Sequence, residues 1–150
     1  TMKERKKYDV FLVHHMTEGK TVAEKEKSEG YYPEIVVNKA LEIGPKIHDT
    51  LGRAYKKRVP IVFGTDASGF FHGENGREFG YMVEAGMPAM KSIQSATIIP
   101  AIILKMEKET GQIAQGFFAD IIATNDDPSE YIKTMEYVVF VMKEGKIFKN

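Results

Sequence analysis

The sequence contains no cysteine among its 150 residues. This absence excludes disulfide bonds, cysteine-ligated zinc and a thiol nucleophile, and it agrees with a reducing cytoplasm, which is the location we expect. The chain also lacks an excess of either charge, because 21 Lys and Arg residues balance 21 Asp and Glu residues. We therefore expect no nucleic-acid partner. No apolar run reaches the length of a membrane span, so we expect no membrane association either.

The first two thirds of the chain alternate between strand and helix patterns. Apolar runs at residues 10–13 and 59–63 predict two buried strands. Between them, the Lys- and Glu-rich residues 17–30 predict a solvated loop or an exposed helix, and a helical pattern follows from Glu34 to Lys57. Four further features complete the pattern: a break or kink at residues 44–45, helices at 77–85 and 88–97, and a helix from Pro100 to about residue 111. This order predicts parallel α/β layers.

In the helix from Glu34 to Lys57, five apolar residues recur at a spacing that predicts core contacts. They are Ile35, Leu41, Ile47, Leu51 and Tyr55.

The last third of the chain changes to a β pattern. Residues 121–123 predict a short strand, and residues 137–142 predict a longer one that is rich in Val and Phe. Glu144 and Gly145 indicate a turn, after which residues 147–148 return the chain. These residues predict a β-hairpin that belongs to a separate small sheet.

Six motifs in a fixed order carry a resemblance to a known family. They lie at residues 61–67, 72–75, 82–87, 95–97, 111–116 together with 119–120, and 141–146. In this order and spacing they resemble the C-terminal third of amidohydrolases of the imidazolonepropionase and Xaa-Pro dipeptidase type. Phe117, Pro100 and Lys105 depart from the family pattern, at positions that do not touch the expected chemistry.

The resemblance implies an α/β fold built from part of a (β/α)₈ barrel. Residues 1–110 would supply its last strands and helices, and residues 111–150 would supply strands of a small β-sandwich appendage. A complete barrel takes about 250 residues, so a chain of 150 cannot contain one.

The resemblance also implies a metal-dependent chemistry. Family members hold one or two divalent metals, zinc being the ion we expect, with a His-x-His pair, a carboxylated Lys, two further His and one Asp after the eighth strand. This sequence contains the Asp, Asp66, and no His-x-His. By resemblance, Asp66 would bind metal and act as general base and acid, if the other ligands are supplied elsewhere. The alternative is that Asp66 only caps the loop by local hydrogen bonds.

Other polar residues are weaker candidates. By resemblance, His72, Gly73 and Asn75 would shape substrate binding, although His72 is equally consistent with an exposed loop histidine. His14 and His15 follow the first strand, but neighbouring strand residues point to opposite faces, so the pair is a poor chelator of one metal ion.

We therefore expect the C-terminal portion of a hydrolase that cleaves amide or other C–N bonds in small, dipeptide-like substrates. As an isolated chain it should be inactive and bind no metal. Its expected partner is a second copy of the chain or the missing N-terminal part of the enzyme. The alternative is a non-catalytic, truncated α/β module stabilised by self-association. An unrelated small binding domain would require the ordered motifs to be coincidental.

Overall fold

A computed structural model describes residues 10–17, 19–22, 24, 33–67 and 72–150. Strand β1, Leu12–His14, pairs in parallel with strand β2, Ile61–Phe63, so that His14 lies opposite Phe63. The connection between them contains the 23-residue helix α1, Glu34–Lys56. Ahead of this helix, Thr17, residues 19–22 and Glu24 are also helical. A crossover of this kind is what two parallel strands require.

A run of short helices follows β2. They are the 3-10 helix Glu74–Gly76, helix α2 at Arg77–Glu84, helix α3 at Ala89–Ala96 and helix α4 at Ile98–Ile103. Gly86, just past α2, has a φ of 99°, as the sequence pattern predicts for a residue that ends a helix. Within the described residues, no helix is both long enough and apolar enough to cross a membrane.

The chain ends in a three-stranded antiparallel sheet. Its strands are β3 at Ile121–Ala123, β4 at Phe140–Lys143 and β5 at Lys146–Lys149, in the order β3-β4-β5, and a 3-10 helix at Ile132–Glu136 lies between β3 and β4. Glu144 and Gly145 both have positive φ, 50° and 77°, as the tight turn of a two-residue hairpin requires. The predicted order of α/β layers followed by a small sheet is confirmed.

The core lies between helix α1, the parallel strands and helix α2. Its buried members are Met16, Leu51, Ala54, Val59, Ile61, Tyr81, Met82 and Met87. The C-terminal half of α1 contributes Leu51 and Ala54 to this cluster, whereas Val37 in the N-terminal half is buried outside it. A helix of this length spans about 34 Å, whereas a three-residue strand spans about 10 Å, so the N-terminal half of α1 extends past the two strands.

Because of this difference in length, part of the predicted core is wrong. Leu51 is fully buried and Ile47 and Tyr55 pack against the cluster, as predicted. Ile35 and Leu41 were predicted as core contacts, but they are 78% and 51% exposed. The helix also continues through Pro45 without a break, because the hydrogen bond that Pro45 cannot donate lies on an exposed face of α1.

The two parallel strands differ in burial. Ile61 and Val62 of β2 are buried, at 3% and 7% exposure, as predicted. The first strand was predicted to be buried throughout, yet Val10 is 43% exposed and Val13 is 59% exposed. Among the described residues, β1 pairs with β2 alone, so the outer side of β1 has little to pack against.

Two predicted boundaries and one prediction of solvent exposure were also wrong. The helix around Pro100 ends at Ile103 instead of about residue 111, and strand β4 begins at Phe140 instead of Tyr137. The segment at residues 17–30, of which residues 18, 23 and 25–30 lie outside the described part, was predicted to be a solvated loop or an exposed helix. Thr17, Thr21 and Val22 are instead buried, because this helical segment packs beside helix α2.

Gly76 marks the contact between the α/β layers and the C-terminal part of the chain. A Cβ atom added at Gly76 would overlap the carbonyl oxygen of Met135 and approach the Cα atom of Glu136 to 3.0 Å. Only glycine therefore allows the 3-10 helix Glu74–Gly76 to lie directly on the 3-10 helix Ile132–Glu136.

We predict that Gly76→Ala destabilises the chain by about 1–3 kcal/mol, because the added methyl group forces two backbone segments apart. Gly80→Ala is the matched control, since a Cβ atom at Gly80 would meet nothing within 4 Å and the residue lies inside helix α2. It should stabilise the chain by about 0.5–1 kcal/mol. Urea unfolding measures both. Equal effects of the two substitutions would show that the contact at Gly76 is not tight.

We also predict that the chain is not a monomer in solution. The exposed side chains of Val10 and Val13 and the exposed strand β5 offer apolar surface and strand edges that favour pairing with another chain. Sedimentation or light scattering at micromolar concentration should give a species larger than 16.9 kDa. A folded monomer of that mass would contradict the prediction.

Candidate functional site

Asp66 follows strand β2 in an unusual backbone conformation. Its φ is 49°, in the left-handed region, which Asp tolerates better than most residues. The side chain is exposed and available to groups outside the described part of the chain. Non-glycine residues in this conformation often occur at functional sites, where the backbone aims a side chain.

Gly64 brings the ends of the two parallel strands together. A Cβ atom at this position would lie 2.8 Å from Cγ1 of Val13 and 3.3 Å from the carbonyl oxygen of His14. The glycine of the Gly-Thr-Asp motif is thus needed for a close approach to β1. Because both strands run in the same direction, residues 15–17 and residues 64–66 leave the sheet at the same edge. In α/β enzymes this carboxyl edge is where ligands bind.

The segment after β1 is held by a fully buried carboxylate, that of Glu78 in helix α2. The backbone N–H of Met16 donates to both carboxylate oxygens, at 2.9 and 2.8 Å. The N–H and the hydroxyl of Thr17 donate to Oε2, at 2.8 and 2.6 Å. These donors stand where the chain becomes helical, and the first N–H groups of a helix have no partner within it. Glu78 therefore supplies the acceptors that this helical start lacks.

His14 and His15 differ in burial. His14 is buried, with Nε2 at 3.3 Å from the carbonyl oxygen of Ile47 and Nδ1 at 3.9 Å from a carboxylate oxygen of Glu78. His15 is exposed and lines a cavity of about 620 Å³ between the helical segment and helix α1. Met16, Val22, Ile43 and His48 also line this cavity.

The residues predicted to bind substrate separate into two groups. Gly73 and Asn75 line a second cavity, of about 910 Å³, between the α/β layers and the antiparallel sheet. Its wall includes Phe63 and Phe79, whose ring centroids are 4.4 Å apart. His72 is exposed, and neither His72 nor Asp66 lines that cavity. The four predicted residues therefore do not converge on one pocket within the described chain.

The donor set around Asp66 does not fit a metal ion by itself. Across the residues that the structure describes, no group of three His, Cys, Asp or Glu side chains is arranged to hold a metal. A catalytic zinc usually has three protein ligands.

Sequence reasoning missed Glu78 and Tyr81. Glu78 lies four residues before the fully buried Met82, and this spacing places both on one face of helix α2, which was the available signal. Tyr81 lies under the ammonium group of Lys20, whose Nζ is 3.8 Å from the ring centroid. Burial raises the pKa of Tyr81 to about 12, although the nearby Arg77 opposes the shift. The phenol is thus neutral at physiological pH.

The family model described as "Amidohydrolase family" matches residues 10–148. Among solved structures, a Xaa-Pro dipeptidase with methionine bound in its active site is 45% identical, with a TM-score of 0.90 over 99% of this chain. A prolidase complexed with N-methylphosphonate-L-proline is 25% identical, with a TM-score of 0.87 over 99% of this chain. This chain spans 37% of each of these two proteins.

A curated relative gives the same result over a shorter stretch. Ochratoxinase from Aspergillus niger is 36% identical over 102 residues, which are 65% of this chain and 21% of that protein. The chain therefore spans about a fifth of this relative and just over a third of the solved structures. Since the family model covers nearly all of its residues, the chain belongs to the amidohydrolase family.

Proposed function

We propose that this chain is the C-terminal portion of a metal-dependent amidohydrolase that cleaves an amide or other C–N bond in a small, dipeptide-like substrate. The observation that carries the proposal is Asp66, exposed and in a left-handed conformation, directly after β2 at the carboxyl edge of a parallel strand pair. The similarity of this chain to a Xaa-Pro dipeptidase, along 99% of the length of this chain, supports the dipeptide-like substrate class.

In this proposal, β1 and β2 correspond to the seventh and eighth strands of a (β/α)₈ barrel. Residues 1–110 form the barrel portion, and residues 111–150 form part of a small composite β-sandwich. The parallel pairing of β1 with β2 and the antiparallel pairing of β3, β4 and β5 support this division. The missing strands would pack against the exposed side of β1, where Val13 now faces outward.

Asp66 is the proposed general base and general acid of the reaction. As water attacks the carbonyl carbon, the carboxylate accepts a proton from it, and the proton then passes to the nitrogen as the C–N bond breaks. The exposure of Asp66 and its place at the strand end support this role. Gly73 and Asn75, which line the larger cavity, and the exposed His72 are proposed to shape substrate binding.

The alternative is a non-catalytic α/β module stabilised by self-association. The exposed side chain of Val13 and the exposed strand β5 favour it, because another copy of the chain could cover them. The two functions differ in what happens when the missing part of an amidohydrolase is added. Only the hydrolase portion predicts that hydrolytic activity appears when that part is added.

We predict that the dialysed chain holds no stoichiometric zinc, manganese or iron, because Asp66 alone is too small a donor set. Elemental analysis of the purified protein tests this expectation. About one tightly bound metal per chain, lost in Asp66→Asn, would show that residues outside the described part complete a site.

We further predict that the isolated chain does not hydrolyse Xaa-Pro dipeptides, and that hydrolysis appears when the N-terminal two thirds of the similar Xaa-Pro dipeptidase are supplied with metal. In this mixture, Asp66→Asn should lower kcat by about 10²- to 10⁴-fold, the range for loss of a general base.

Asp49→Asn is the control, since Asp49 is exposed on helix α1, where it pairs with Arg53 at 3.2 Å. It should leave the rate unchanged. Full activity of the Asp66→Asn mixture would refute the role of Asp66. Self-association without any hydrolysis in the mixture would favour the non-catalytic module.

A further inference from the structure

The carboxylate of Glu78 is an unusual group to find in the interior of this chain. It is fully buried, and Nδ1 of the buried His14 lies 3.9 Å from one of its oxygens. A buried carboxylate is costly unless hydrogen bonds replace its water, and here three donors from Met16 and Thr17 do so.

Stability alone is a poor explanation for this arrangement. An apolar side chain of similar size often stabilises a protein interior as well as a buried charge does, because it avoids the desolvation cost. A carboxylate offers two oxygens that accept several hydrogen bonds in fixed directions, which an apolar residue cannot. What Glu78 adds is therefore the geometry of the backbone at Met16 and Thr17.

The other polar contacts of this segment among the described residues are weaker, and the apolar packing of Met16 in the core sets no hydrogen-bond direction. Lys20 donates to Glu84 at 2.7 Å, and Arg77 donates to Glu24 at 2.6 Å. Both carboxylates are about half exposed, and ion pairs of this type contribute little. The buried carboxylate is thus the principal anchor of the segment.

The anchored segment leaves the sheet beside Asp66. His14 is opposite Phe63 in the strand pair, so residues 15–17 and residues 64–66 emerge side by side. The segment also presents His15 and Met16 to the cavity of about 620 Å³. A shift of the backbone at Met16 would therefore change both the wall of this cavity and the surroundings of Asp66.

We propose that Glu78 is a positioning residue: its carboxylate fixes the backbone at Met16 and Thr17, and so determines what the loop after β1 presents beside Asp66. The anchoring itself does not depend on catalysis. Its consequence for substrate rests on the proposed function, because that function makes the carboxyl edge an active site.

The test uses the whole chain, labelled for NMR, and a pair of substitutions at the fully buried Thr17. Thr17→Val keeps the volume of the side chain and removes the hydroxyl that donates to Glu78. Thr17→Ser keeps the hydroxyl and removes a methyl group. If Glu78 and Thr17 only fill space, Thr17→Val should leave the amide exchange protection of Met16 and Thr17 unchanged, and Thr17→Ser should lower it. If they anchor the loop, Ser should be tolerated, and Val should lower the amide exchange protection of Met16 and Thr17.

Glu78→Gln is the third variant. It has the same size, but it loses the negative charge and replaces one acceptor oxygen with an NH₂ group, which cannot accept a hydrogen bond from the N–H of Met16. We expect protection at Met16 and Thr17 to fall by about tenfold or more. Protection in helix α1 should be unchanged, which separates a local effect from unfolding. Glu84→Gln, which weakens the exposed contact to Lys20, is the matched control and should leave both amides protected.

Two outcomes would overturn the inference: unchanged protection at Met16 and Thr17 in a folded Glu78→Gln chain, or tolerance of Val but not of Ser at Thr17. If Glu78→Gln does not fold, the two Thr17 variants still test whether the carboxylate anchors the segment. In the active mixture described above, Thr17→Val should raise KM more than it lowers kcat. Thr17→Ser should leave KM close to that of the unsubstituted chain. Because the exchange measurements need no activity, they distinguish failure of this inference from failure of the proposed hydrolase function.

Discussion

The hydrogen bonds of one buried carboxylate determine how the described chain is assembled. Glu78 connects helix α2 to the segment after β1, more than 60 residues earlier in the sequence. Burying a charge is favourable only if its acceptors are satisfied, and free N–H groups at a helical start are well suited to satisfy them. The N–H groups of the helical start thus donate the hydrogen bonds that the buried carboxylate needs, and the carboxylate supplies the acceptors that these N–H groups lack. The segment after β1 is therefore held against α2 by contacts that would be costly to lose.

A second constraint, at Gly64, works at the same edge of the sheet. Only a residue without a side chain lets the end of β2 approach Val13 and the carbonyl group of His14 so closely. The chain then turns through Asp66 in a left-handed conformation, which leaves the carboxylate exposed. Glu78 fixes one of the two segments that leave this edge, and Gly64 fixes where the other begins. Together they explain why the Gly-Thr-Asp motif and the loop after β1 are neighbours.

Local patterns predicted the kinds of element well, but they could not predict what surrounds each one. The periodicity of helix α1 predicts core contacts for both Ile35 and Leu51, yet Ile35 is 78% exposed and Leu51 is fully buried. The difference arises because the strands are shorter than the helix, which is a tertiary property. Glu78 was missed for a related reason. An acidic residue in an amphipathic helix indicates a solvated face unless its partners, distant in sequence, are known. Asp66 was identified through motif order and strand position, and its catalytic role stays a prediction.

The exposed apolar surface and the incomplete donor set have one explanation under the proposed function. In a barrel, every strand has two neighbours, and the metal ligands come from the ends of several strands. A chain that holds two adjacent strands therefore lacks a neighbour for β1 and most of the ligands at the same time. The exposure of Val13 and the isolation of Asp66 are then two results of one missing part. A non-catalytic module would account for the first through self-association, but it does not require a carboxylate at the carboxyl edge of the strand pair, where the exposed Asp66 lies. This asymmetry is why we favour the hydrolase portion.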